Sequence, residues 1–159
     1  MSELPENKMT NQDKKKYLTG YRWGKVQLKQ IEHDIIRLRL EALPSAIKYD
    51  GMPHGSGGNG ADLANYAEKL DTMRDRYRRQ RDSVLDRLDE IEQAINAVTD
   101  DRYRILLHER YINLNGDHLR SFREIGELMG YTEDTIKNMH GEALKVFEVP
   151  TATTARDYF

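Results

Sequence analysis

Apolar residues recur at alternating spacings of four and three along two long stretches of this chain, a rhythm that belongs to helices meeting along a narrow seam. In the first stretch the seam is Tyr17, Tyr21, Gly24, Leu28, Ile31, Ile35, Leu38 and Ala42. Thr10 and Asp13 stand at capping-box spacing before it, and Pro44 sets its expected end, because proline disfavours helical geometry in the residue preceding it. The second seam is Leu63, Tyr66, Leu70, Met73, Tyr77, Val84, Leu88, Ile91 and Ile95, with a polar break at Gln80 and Arg81. That break either fixes the register or marks contact with another subunit. Neither seam is wide enough to stabilise a helix alone, so the two are expected to fold back on each other as a long antiparallel, coiled-coil-like hairpin. The intervening Gly51-Met-Pro-His-Gly-Ser-Gly-Gly-Asn-Gly60 is too rich in glycine to hold a regular element. It lacks the Gly-Lys-Ser/Thr ending of a phosphate-cradling loop and is read as a linker.

After the second seam the pattern shortens. Thr99-Asp-Asp opens a helix with a cap and two acids, and Ile105, Leu106 and Ile112 give it an inner face; Asn115-Gly116 is a turn signal. Ser121 and Glu124 then form a second capping box, which starts a helix at Phe122. Ile125, Leu128 and Met129 fall on one side of it, with Gly126 where a second element must come too close for any side chain. Gly130 supplies the left-handed turn, and Thr132 caps the next helix. There Ile136 and Met139 face back, and Ala143, Leu144 and Phe147 continue the stripe. Glu133, Asp134, Lys137, Asn138 and Glu142 make the opposite, polar face. This is the spacing of a helix-turn-helix; the competing reading is an ordinary helical hairpin whose stripe is simply core. The chain is thus expected to be all-α: a loose tail over 1–10, a long helical hairpin over 11–97 with a flexible loop over 44–60, a three-helix helix-turn-helix domain over 99–148, and a tail over 149–159.

Charge complicates this picture. Net charge over the 159 residues is -2, which gives no global attraction to nucleic acid, so any basic surface has to be local. From Arg120 to Glu148 the bases Arg120, Arg123, Lys137 and Lys145 face the acids Glu124, Glu127, Glu133, Asp134, Glu142 and Glu148. The motif therefore needs charge from elsewhere or a second copy, since phosphate contacts supply most of the affinity for DNA. The most basic stretch is Arg74-Asp-Arg-Tyr-Arg-Arg-Gln-Arg81, mid-way along the second helix. Its Arg74, Arg76, Arg78, Arg79 and Arg81 either form a belt for DNA or RNA polymerase or pair with acids of the first helix such as Glu32, Asp34 and Glu41.

The remaining chemistry is sparse. There is no cysteine, hence no disulfide framework or thiol chemistry. The histidines His33, His54, His108, His118 and His140 lack zinc-ligand spacing. No nucleophile, base and acid group together, so neither enzymatic activity nor a metal or other cofactor is expected. No apolar run has the length of a membrane span and the N-terminus lacks a signal-peptide pattern, which places the protein in the cytoplasm.

Arg102-Tyr-Arg-Ile-Leu-Leu-His-Glu-Arg-Tyr-Ile112, Ser121-Phe-Arg-Glu-Ile-Gly and the segment from Thr132 to Leu144 together resemble the promoter-reading C-terminal domain of bacterial sigma factors. A long helical N-terminal part followed by such a domain resembles the small phage-encoded transcriptional regulators of the ArpU and RinA type. The resemblance implies a sequence-specific DNA-binding activator of phage late genes, with double-stranded DNA as partner and no catalytic activity. It makes the helix from Phe122 to Met129 the support and that from Thr132 to about Leu144 the recognition helix. Glu133, Asp134, Lys137 and Asn138 then lie near base edges, while Ser121, Arg123, Thr132 and Lys145 are candidates for phosphate contacts. The sequence departs from the sigma-like pattern at Gly141 and in having no arginine in the recognition helix. Two alternatives follow from the same parts: a protein-interaction module that docks on RNA polymerase or another partner, and a small terminase subunit, which commonly places its helix-turn-helix first. Self-association through the long helices fits each of them.

Overall fold

The computed structural model describes residues 9–48 and 59–151, and every regular element among them is helical. Two helices of 38 residues each, α1 (Asn11–Lys48) and α2 (Asn59–Asn96), are followed by three short ones. These are α3 (Asp101–Leu107), which runs on as a π-turn over His108–Ile112, then α4 (Phe122–Met129) and α5 (Glu133–Val146). Within the described residues no helix is long and apolar enough to cross a membrane. Most of the glycine-rich stretch and both chain ends, expected as loop and tails, lie outside the described residues; Asn59 and Gly60 belong to α2.

The chain divides into two compact units that do not follow its linear order. The first combines the chain up to Val26 with everything from Asp86 onward. Its core takes Tyr17, Leu18 and Tyr21 from α1, Leu88, Ile91 and Ile95 from α2, Leu106 and Leu107 from α3, Ile125 from α4, and Ile136, Leu144 and Phe147 at α5. The rings of Tyr17 and Phe147 stand 6.0 Å apart. Lys14 extends its ammonium to the carbonyl of Leu144 at 2.8 Å, so the first turns of the chain cap the last helix, where cations offset the exposed carbonyls. Gly20 of α1 faces Ile91 of α2, where a Cβ would make an ordinary contact at 3.7 Å, so the approach does not depend on glycine.

The second unit spans Gln27–Leu85. Ile31, Leu38 and Val84 are buried in it, with Leu28, Ile35, Met73 and Tyr77 half-buried. Both seams are therefore turned inward along most of their length. At the start of α2, by contrast, Leu63 and Tyr66 are exposed although they belong to the expected seam. The side chain of Ala42 lies outside the described residues.

Three further expectations are corrected. Helix α1 does not end at Pro44 but continues to Lys48; proline removes a single backbone donor, which a long helix tolerates, here one turn after the exposed Leu40. The cap of α3 is Asp100 and not Thr99: its carboxylate accepts from the backbone N–H groups of Arg102 and Tyr103 and is held below the usual carboxylate range, first by the Arg102 side chain. The inner face of this helix is Leu106, Leu107 and Tyr111, while Ile105 is exposed. Asn113 bonds back to the carbonyl of His108, five residues earlier, at 2.9 Å. That wider turn leaves Tyr111 inward and Ile112 only half-buried.

Candidate nucleic-acid interface

Local chemistry builds α4 and α5 as the sequence indicates. The Glu124 amide donates to the Ser121 hydroxyl at 3.2 Å, and the Ser121 amide donates back to the Glu124 carboxylate at 2.9 Å. This reciprocal cap holds the Glu124 carboxyl below its ordinary range, chiefly through the Ser121 backbone N–H. Helix α4 stops at Gly130, whose φ of 76° is left-handed. Thr132 then accepts from the Thr135 amide at 3.2 Å and starts α5.

Gly126 is where the chain passes closest to itself: a Cβ there would stand 2.5 Å from the backbone oxygen of Tyr131. The element that excludes its side chain is thus the turn between the two helices rather than α5 itself. The buried stripe of α4 follows from this contact. It consists of Ile125 and Gly126, flanked by the half-buried Phe122 and Met129. Leu128, expected inward, is 58% exposed, because one position along a helix rotates a side chain by about 100° off the stripe that Met129 continues.

On α5, Ile136, His140, Ala143 and Leu144 are buried. His140 was not among the positions expected inside. Its Nε2 lies 2.8 Å from the buried Tyr111 hydroxyl, and the ring of Phe122 packs on it with centroids 5.1 Å apart. Burial, followed by the positive charges of Lys15 and Arg110, pushes the imidazole down to about 4. Desolvation pushes Tyr111 up to about 12. The pair is a neutral, hydrogen-bonded plug under the α4–α5 junction, with no sequence signal beyond an i, i+4 step from Ile136 to His140.

All four candidate base-reading residues, Glu133, Asp134, Lys137 and Asn138, are exposed on one side of α5. Lys137 is paired with Glu133 at 3.0 Å, one turn back, and this contact holds its ammonium above the usual lysine range. The candidate phosphate contacts are exposed as well. Ser121 and Thr132 are engaged as caps; Arg123 meets Glu127 at 3.5 Å and Lys145 meets Glu142 at 2.9 Å. The cations of α4 and α5 are thus each answered by an acid of their own helix.

The arginine belt belongs to the second unit. Arg74 pairs with Asp71 at 3.2 Å and Arg81 with Asp82 at 3.4 Å. Arg76 lies over the Tyr77 ring, Arg79 reaches the Asp75 carbonyl, and Arg78 is exposed. Two of the three expected partners on α1 are otherwise engaged: Asp34 and Glu41 both approach Arg37 of their own helix, at 2.9 and 4.0 Å, while Glu32 is exposed. Apart from Arg81 with its neighbour Asp82, these ion pairs join residues three or four apart along one helix and need no second element to hold them, so local pairs form in preference to the expected cross-helix ones.

No family model, curated protein or solved structure matches the chain.

Proposed function

We propose that this protein is a sequence-specific DNA-binding transcriptional regulator that lays α5 in the major groove, with α4 as the supporting helix and α3 completing a sigma-like three-helix domain. The observation that carries the reading is the junction itself: a reciprocal serine–glutamate cap, a glycine locked against the turn, a left-handed glycine and a threonine cap hold two short helices that leave one polar face uncovered. In that role Lys137 donates to guanine acceptors, Asn138 pairs with adenine, and Glu133 and Asp134 accept from cytosine. The long helices pair along their seams as a hairpin that serves self-association. Phage late-gene activation in the cytoplasm, in the manner of the ArpU and RinA regulators, is the biological setting that the resemblance supports.

A mobility-shift titration at low salt against DNA upstream of the protein's own operon tests this. The expected result is a sequence-selective shift. Replacing Lys137 and Asn138 together by alanine should lower the preference for that site over unrelated duplex by at least about 30-fold, at about 1–3 kcal/mol for each of the two lost base contacts. Folded protein without a selective shift would refute the reading.

A second reading draws on one observation: Lys137 is already paired with Glu133 of its own helix. If the chain acts by docking on RNA polymerase, the same double alanine variant will keep full transcriptional activity, and changes at Arg76 and Arg78 will abolish it.

A further inference from the structure

Positive charge in the first unit does not gather on α4 and α5, where each cation has its own acid. It gathers in a cleft of about 620 Å³ lined by α1, the end of α2, the π-turn and Leu119. The lining contributes Lys15, Lys16, Arg87 and Arg110 and not one carboxylate. Among the described residues neither Lys15, Lys16 nor Arg110 stands in an ion pair. Asp13, whose carboxyl is held down first by the Thr10 hydroxyl and least by the charge of Lys16, is committed to the Thr10 cap at 2.7 Å.

Arg110 is fixed in the cleft wall. One guanidinium nitrogen donates to the Arg120 carbonyl, the group stacks over the Phe122 ring at 4.4 Å, and its buried Nε has no hydrogen-bond partner. Holding a guanidinium half-buried among cations, with no carboxylate to answer it, raises the free energy of the unliganded protein; an anion entering from solvent relieves it. Lys15 and Lys16 are exposed at the rim, and Gln12, Thr19 and the 59% exposed indole of Trp23 complete the lining with polar donors and a flat apolar wall.

The cleft is also tied to the α4–α5 junction. Arg110 holds the carbonyl of the residue immediately before the Ser121 cap, and the charges of Lys15 and Arg110 both disfavour a protonated His140 imidazole. Lys14, next to Lys15, caps α5. Positive charge here is thus fixed relative to the helix assigned to base reading.

We infer that this cleft is a phosphate-binding site, and that it takes the sugar–phosphate backbone of the same duplex that α5 reads, supplying the cationic contacts that the acidic motif lacks. The inference rests on the DNA-binding reading. It goes beyond it in moving the electrostatic anchor from the reading helix to the first turns of the chain.

The test uses the full-length Lys15→Gln, Lys16→Gln variant, whose side chains are exposed and whose fold is checked by its melting curve. Binding to unrelated duplex is measured over a range of salt, beside the Lys137→Ala, Asn138→Ala variant. Each phosphate contact contributes about 0.9 to the slope of log affinity against log salt, so losing two should flatten the slope by about 1.8 and weaken binding on the order of tenfold to thirtyfold near physiological salt. The ratio of specific to unrelated DNA should stay unchanged, whereas the α5 variant should show the reverse pattern. An unaltered slope and affinity in a wild type that binds DNA would overturn the cleft assignment and leave the α5 reading standing. A wild type that binds no duplex would remove both. A calorimetric titration with ATP separates the sources of phosphate: saturable ATP binding that the glutamine variant loses, with duplex affinity untouched, would overturn the backbone as the ligand.

Discussion

Alanine at Gly126 should destabilise the first unit by about 2–3 kcal/mol, although alanine is ordinarily the better helix former by about 1 kcal/mol. The added methyl would stand 2.5 Å from the Tyr131 oxygen, a backbone atom that cannot swing aside as a side-chain tip could. Relief requires α4 to tilt or the turn to open, and either movement pulls Ile125 and Ile136 out of register in the core. For a protein of this size the loss corresponds to a fall of roughly 5–10 °C in melting temperature. Valine should be worse, and Gly141→Ala, where a Cβ meets open space, should be neutral or slightly stabilising. An unchanged melting curve for Gly126→Ala would mean that the turn does not pack against α4. In DNA binding, the same variant should lose selectivity without touching any residue assigned to the duplex, because it disturbs the angle at which α5 is presented.

Mild acid should be the second large perturbation, acting through His140. Its imidazole titrates near 4 in the folded protein and near 6.5 when unfolded. Between those values the unfolded chain binds the extra proton, so stability rises with pH across this window and falls as pH drops through it. The full difference amounts to about 3 kcal/mol, reached once both forms are protonated below pH 4. Denaturant midpoints measured between pH 7 and pH 4 should trace this loss, and His140→Gln should flatten the curve in that interval. Carboxylates with depressed values, Glu124 and Asp100, act in the same direction but lower down, below their unfolded values near 4. Were the histidine variant to show the wild-type slope between pH 6.5 and 4.5, the buried, neutral state of His140 would be disproved.

Much of this architecture was legible in the sequence because its boundaries are set by chemistry between near neighbours. Thr10 with Asp13, Ser121 with Glu124, Gly130 and Thr132 each work within four residues, and each stands in the structure at the expected place. The seams of α1 and α2 were legible for a similar reason, since one repeated spacing places every residue on the same side. Asp100 replaced Thr99 because two adjacent residues could both cap, and the carboxylate could in addition engage Arg102. Tyr111 and His140 went unseen because they are 29 residues apart and become partners only when α5 packs on the π-turn. The cleft was illegible for the same reason. Lys14-Lys-Lys16 reads as a solvated run until α2 and Arg110 are brought beside it.

The cap that Lys14 places on Leu144 joins residues 130 positions apart, and the Tyr17–Phe147 contact closes the same seam. A ribosome releases residues 14–17 long before residues 144–147, so the first unit cannot close this seam until α5 has been synthesised. Excising the segment from Thr99 onward would strip α5 of that cap and bare the Phe147 ring, which makes the three short helices inseparable from α1.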